Sequence, residues 1–515
     1  FEGSDYYDIN AKYMHILGSK DKLSASFYIG NDYSNAKNSE THKYDYNPDE
    51  DKSSQLKETR YRYSKGDKMG NIASTFHWDH TISPSRTLHS LLTYSEYKSR
   101  TYTDTESESI AWTDDFDYLR QQGSFESGIS DLTLKVEYID DTFKNHTLAI
   151  SGGYTLQRVK STVEFTSHKA NLYDTLIMSG NNGYKEYVNT FHISLDDQMV
   201  FWEKLKIGLG VRLNNYFVKN SNYLSIEPRV RLRYSPIKTL RLTGSFTIMS
   251  QAIHLLSSNN IVSKHDLWVP STSSYAPTKA HQGTIGIEYE YKIDGNPVII
   301  SLEGYYKKMI NLLEYKDGAS YTSGQNWEKQ VCVGDGWSYG VQFLAQRKVG
   351  PVTGWIGYTW SRTMRQFDRP GQEINFGKPF HAKYDREHDL SITLQYRVTK
   401  KWDLAATFIY GTGTRGTIGL QKYEDHMYRP GGYNSSIYYV SERNNYKMPD
   451  YHRLDIGSTW YLKDKKHANF GHVLNLSVYN AYCNFNPFLV YPSGDKMYQL
   501  SLFPTIPSLS YTFKF

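Results

Sequence analysis

From one end of the chain to the other, short segments alternate apolar and polar residues with a period of two. Leu23, Ala25, Phe27 and Ile29 alternate with Ser24, Ser26, Tyr28 and Gly30. The same pattern sets Leu205, Ile207, Leu209, Val211 and Leu213 against Lys206, Gly208, Gly210, Arg212 and Asn214, and Leu390, Ile392, Leu394, Tyr396 and Val398 against Ser391, Thr393, Gln395 and Arg397. Such alternation puts the two sets on opposite faces of an extended strand. Roughly 19 strands of about 10 to 14 residues are predicted this way. No segment carries a 3.6-residue apolar stripe, so the fold class is all-β.

The connections alternate too. Short ones at 18–21, 83–86, 142–146, 201–204, 235–239, 294–297, 348–351 and 399–401 lie between long polar ones at 32–69, 101–125, 161–184, 250–281, 314–336, 365–386 and 412–450. Only 218–223 is short on the long side. Short turns on one rim and long loops on the other predict a transmembrane antiparallel β-barrel of the bacterial outer membrane, turns periplasmic and loops extracellular. Hydrophobic content of 39% and the lack of an 18-residue apolar run exclude a helical span. The 46 Tyr, 22 Phe and 10 Trp suit aromatic girdles at two membrane interfaces, although a Tyr-rich adhesin shares that composition.

Counting back from a last strand that ends in the periplasm places residue 1 outside. Single-chain bacterial barrels have an even strand number and both termini in the periplasm, so about 19 strands of a 22-stranded barrel are expected here, with roughly three more upstream. The net charge of +5 is scattered and predicts no nucleic-acid partner. Cys332 and Cys483 form no metal pattern and are expected to be free thiols.

At 507–515, Leu509, Tyr511, Phe513 and Phe515 share one strand face, and the stretch resembles the closing strand of outer-membrane barrels. Further stretches are 266–271 (DLWVPS), 354–362 (GWIGYTWSR), 383–413 (KYDREHDLSITLQYRVTKKWDLAATFIYGTG), 443–457 (RNNYKMPDYHRLDIG), 474–482 (LNLSVYNAY) and 501–515. In this order and spacing they resemble the TonB-dependent outer-membrane transporters of Bacteroidota. The resemblance implies active import of a scarce solute through a barrel filled by its own N-terminal plug domain. It also implies outer-membrane lipid around the wall and a TonB box engaging the TonB–ExbB–ExbD complex. No plug or TonB box is found in these residues. The ending differs from that of the glycan-importing subgroup that works with a surface lipoprotein, which leaves such a partner optional. A passive porin or surface adhesin is the main alternative; a barrel enzyme is a further one.

Glu227, Arg229, Arg231 and Arg233 share one face of a strand, and Arg241, Glu288, Glu290 and Glu303 are expected to join them in the lumen. This set reads as a cross-strand Arg–Glu ladder, as a dock for an acidic plug surface, or as steering for an anionic ligand. A sugar or macrocycle needs flat apolar faces with polar edges. That requirement selects Trp268, Trp327, Trp337, Tyr438 and Tyr439 as ligand candidates, against packing or girdle roles. Arg443, Asn444 and Asn445 are expected at the mouth, bonding a ligand or pinning a loop. The acids of 101–125 stand against Arg120 alone and read as solvated surface. The 45–51 run imitates a calcium loop but has Glu50 where that loop needs Gly. No catalytic motif, metal ligand set or cofactor is predicted.

Overall fold

The computed structural model describes every residue except 1, 50, 51, 53, 54, 114, 172, 173, 258–265, 318, 320–325, 420, 425–435, 463–470, 494, 495, 502 and 515. The chain forms one twenty-stranded sheet, of which the Phe380–His381 element has only two residues. The other wall strands are β1 (Glu2–Leu17), β2 (Asp21–Lys43), β3 (Leu56–Ser83), β4 (Arg86–Ala111), β5 (Phe116–Asp140), β6 (His146–Asn171), β7 (Thr175–Phe201), β8 (Leu205–Val218), β9 (Ser221–Ile237) and β10 (Leu240–Gln251). They continue as β11 (Thr278–Ile293), β12 (Asn296–Tyr315), β13 (Val331–Arg347), β14 (Val352–Gln366), β15 (His388–Thr399), β16 (Trp402–Gly411), β17 (Tyr451–Tyr461), β18 (Gly471–Tyr479) and β19 (Ile506–Lys514). Each pairs antiparallel with the next, in a continuous meander. Among the described residues β1 and β19 do not pair with each other.

The short turns fall where the sequence places them. Asp294 and Gly295 join β11 to β12 with φ of 51° and 76°, the double left-handed geometry that Asp-Gly adopts in a two-residue hairpin turn. The long connections are corrected. Strands β2 to β7 run for 23 to 28 residues, so most of 32–69, 101–125 and 161–184 is strand. A bilayer needs about 9–11 residues per strand, and these six project far beyond one. Three of the acids on that projection are in ion pairs. Arg120 binds Asp104 at 2.8 and 3.0 Å, Arg62 reaches Glu106 at 3.4 Å, and Arg60 reaches Glu108 at 3.1 Å.

One face of the wall is apolar and exposed. Phe191, Ile193 and Leu195 on β7, Leu209, Val211 and Leu213 on β8, and Ile226, Val230 and Leu232 on β9 form part of a belt that continues across Ile285 and Ile287 to Leu509, Tyr511 and Phe513. Ile193, Leu213 and Ile226 lie in one cross-strand row. So large an apolar surface suits lipid and not water. The other face carries Ser, Thr, Gly and charged residues. No helix among the described residues is long and apolar enough to cross a membrane, which says nothing of strands.

The hydrophobic core lies over this polar face. After β10 the chain turns back as a ribbon, Ile253–Ser257 paired with Asp266–Pro270. Leu256, Leu267 and Val269 of the ribbon are buried with Val163, Leu313, Tyr315, Trp327 and Val331, while Ala252 and Ile253 pack with Val159, Val188, Tyr216 and Val218. Val159, Val163, Val188 and Tyr216 stand on β6, β7 and β8 and face away from the exposed belt. The face they share is therefore the inner one.

Candidate ligand path on the inner face

The ribbon is held by the wall it covers. The Trp268 backbone N–H donates to Ser127 Oγ at 3.4 Å, its carbonyl accepts from the Tyr184 hydroxyl, and Tyr223 donates to the Thr272 carbonyl at 2.7 Å. His254 hydrogen-bonds the Ser271 and Thr278 hydroxyls at 2.9 and 3.1 Å. Burial pushes its imidazole down to about 4, so the ring is neutral at pH 7.

About eight residues further along the same strands, toward the short-turn rim, the inner face opens into a cleft of about 720 Å³. Its basic lining includes Lys206, Arg212, Arg229, Arg231 and Arg233, and its acidic lining includes Asp196 and Glu303. The expected Arg–Glu ladder is mostly not formed. Arg241 does pair with Glu288, its direct cross-strand partner. Arg229 instead reaches across β8 to Asp196 at 2.6 Å. Gly210 permits this crossing, because a Cβ there would lie 2.1 Å from the Asp196 carboxylate and 2.7 Å from Arg229 Nε. Arg231, Arg233, Glu290 and Glu303 have no ion pair among the described residues. Two guanidiniums in a wide polar cleft cost little, since water solvates them, and they remain available to an acidic surface.

At the long-loop rim a buried charge node ties the loops together. Arg443, only 3% exposed at its side chain, donates to Glu314 at 3.0 Å and to Asp317 at 2.9 Å. Arg365 makes a second ion pair with Glu314. Burial opposes ionisation of Glu314, which lies eight residues beyond exposed Tyr306 of the belt, but the Arg365 and Arg443 guanidiniums outweigh it and hold the carboxyl below its ordinary value. The Arg443 N–H donates to Asn375 Oδ1 at 3.0 Å, and the Asn375 N–H donates to Asp317 at 3.0 Å. Asn444 donates to the His381 carbonyl at 2.7 Å, while Asn445 exchanges bonds with the Ile418 backbone at 2.9 and 3.0 Å. Arg443, Asn444 and Asn445 thus bond to neighbouring loop segments.

The aromatic candidates scatter. Trp268 sits half-buried on the ribbon. Trp327 is buried, 5.6 Å from Tyr275 between ring centroids, with an edge on a cavity of about 490 Å³ beside Pro270 and Tyr184. Tyr439 is exposed, and the side chain of Tyr438 lies outside the described residues. Trp337 is a correction. It pairs across strands with Lys308, whose ammonium lies 5.6 Å from its ring, and shares its face with exposed Val341, so it belongs to the outer wall and not to the path.

Phe376 escaped the sequence reading. It is 88% exposed at the mouth, in the middle of three consecutive left-handed residues, Asn375, Phe376 and Gly377, with φ of 56°, 57° and 73°. Left-handed φ at a non-glycine is uncommon, and the bonds anchoring Asn375 to Asp317 and Arg443 hold this turn in place. No periodic signal marks such a residue. Its Asn-Phe-Gly setting is the one clue.

A family model described as TonB dependent receptor-like, beta-barrel matches residues 7–481. Solved structures share the fold at 12% identity. The ferric-catecholate import receptor Fiu of E. coli K12 aligns over 99% of this chain and 80% of its own, with a TM-score of 0.56. The siderophore receptor PiuA of Acinetobacter baumannii aligns over 99% and 79% at 0.58, and the RagAB peptide importer in its closed-closed state over 93% and 68% at 0.54. No curated protein matches the chain in sequence. An exposed apolar belt outside, a polar cleft inside and a family match over most of the length lead to one assignment: this chain belongs to the TonB-dependent receptor β-barrel family, whose place is the bacterial outer membrane.

Proposed function

We propose that this chain forms the wall and mouth of an active importer, with the long-loop rim outside the cell and the short turns in the periplasm. The observation that carries the reading is the inward ribbon, which packs on the inner face of the wall on the long-loop side of a polar cleft. Trp268 packs between the ribbon and the wall, and exposed Phe376 and Tyr439 offer apolar faces for capture at the long-loop rim. Below it, Arg231 and Arg233 suit the acidic surface of a plug domain, which the TonB–ExbB–ExbD complex would pull to admit the solute. Where β1 and β19 run through lipid, their outer edges, unpaired with each other among the described residues, are expected to be paired, because unpaired backbone groups cannot be left there. Membership of the Bacteroidota type and a surface lipoprotein partner belong to the same proposal. Siderophores and peptides, named for the similar structures, stand beside cobalamin, haem and oligosaccharides as solute classes.

Cells with and without the protein, each with and without TonB, would be fed a mixture of these classes and the medium followed by mass spectrometry. Depletion of one class that needs both components supports import. Depletion that persists without TonB supports the second reading, a passive pore, which the inward ribbon also favours because porins narrow their lumen with such a loop.

A further inference from the structure

On the inner face, away from both the ribbon and the charge node, three side chains converge. His77 and Asp79 stand two residues apart on β3 and so share a face, and His89 on β4 is the direct cross-strand partner of Asp79. Asp79 Oδ1 lies 3.0 Å from His77 Nε2 and 2.5 Å from His89 Nδ1. The two imidazoles stack with centroids 5.9 Å apart, and the donor atoms of all three residues lie within 4.8 Å of one another. Their side chains are 36%, 24% and 31% exposed, so water on the inner face reaches them.

We propose that His77, Asp79 and His89 bind a divalent transition-metal ion of the zinc class. Two imidazole nitrogens and one carboxylate are the borderline donor set that such ions take, whereas calcium and magnesium take oxygen. Tetrahedral zinc with bonds of about 2.0–2.1 Å needs donors roughly 3.3 Å apart, so both rings must move back from the carboxylate, with their donor nitrogens settling at that separation from each other within the 4.8 Å that now spans the three donors. Each imidazole then turns a lone pair toward the ion, and the proton on each donor nitrogen moves to the other nitrogen of a neutral ring or leaves a charged ring to solvent. Glu137 is the cross-strand neighbour of His89 on β5 and is held by Lys135 at 3.3 Å. Glu137 also lines the large cleft, which gives the site an entry path. The proposal goes beyond the import reading and does not depend on the identity of the solute.

The purified protein in detergent would be stripped with chelator and titrated with Zn²⁺ by calorimetry and with Co²⁺ by visible absorption. One ion per chain is expected, with a cobalt band set by nitrogen and oxygen donors. His77→Gln/His89→Gln should lose that ion and that band while keeping the heat-modifiable gel shift of a folded barrel. Asp79→Asn, close in shape, keeps the test open if the double variant does not fold, and should weaken binding and move the band. Equal stoichiometry and spectrum in wild type and variants, or no binding of either ion to wild type, would overturn the site. Neither result bears on TonB-dependent depletion.

Discussion

The two ends of the inner face are built oppositely. Toward the long-loop rim, the ribbon and its neighbours form a dry core, with Leu267 and Val269 fully buried, and next to it a buried ion-pair node. Toward the short turns the same strands line a wet cleft with unpaired arginines and no apolar cluster among the described residues. A continuous ladder of paired strands holds its shape through backbone hydrogen bonds without a core, so the lower inner face is free to stay polar. The mouth is made of loops whose short two-stranded ladders are not part of the wall sheet, and they need burial to hold a position against it. Order at the mouth should therefore be fragile and independent of the wall.

The largest break in this contrast should come from Arg443→Ala. It leaves Glu314 buried with half its countercharge, a loss of about 3–5 kcal/mol. Hydrogen exchange should show the segments around 314–317 and 443–447 opening, while heat-modifiable migration, which reads the wall, stays as in wild type. Loss of both together would mean that mouth and wall are one cooperative unit.

Leu267→Ala should release the ribbon next, at about 2–5 kcal/mol for a buried leucine. Protease access at the ribbon should rise, and wall strands β5 to β7 should stay protected.

Acid should act on the same element. The folded His254 value of about 4 lies below the ordinary 6.5, so the unfolded ribbon binds the proton more readily. The contribution is complete above pH 6.5 and is lost as pH falls from there through 4, about 3 kcal/mol in all. Exchange of residues 253–257, corrected for intrinsic rate, should accelerate over that window, and His254→Gln should flatten the dependence.

The smallest stability effect belongs to the cleft. Arg231→Ala and Arg233→Ala should each change wall stability by less than about 0.5 kcal/mol, because neither side chain has a partner there to lose. Weaker retention of an added plug domain on a column of the variant barrel would assign them to docking. Unchanged retention would leave them as solvated lumen charge.

What was legible in the sequence was whatever a period of two can encode. The wall strands, their order and the faces of Leu209 and Arg231 all follow from alternation plus turn chemistry. Strand lengths were misjudged, because the projecting parts of β2 to β7 alternate charged with small polar residues and read as loop once the apolar signal stops. The mouth was not legible. Leu256 and Leu267 meet Val163 through contacts with no periodicity, and Trp327 and Trp337 look alike until register sends one to the core and the other to the outer wall. Half of the His77–Asp79–His89 cluster was legible, because residues 77 and 79 share a face by alternation. A two-residue turn at 84–85 alone would set 79 opposite 90, and it is the irregularity between Thr81 and Ser83 that shifts the register and brings His89 opposite Asp79.

The most direct measurement is uptake, of the solute that the depletion comparison identifies, by a barrel whose ribbon is locked to the wall. With Cys332 and Cys483 replaced by Ser, Ser127→Cys and Trp268→Cys would place two thiols where the backbone of one residue touches the side chain of the other. If solute passage requires the ribbon to leave the wall, uptake stops on oxidation and returns with reductant, always requiring TonB. Uptake at the wild-type rate through a fully locked ribbon would contradict that route.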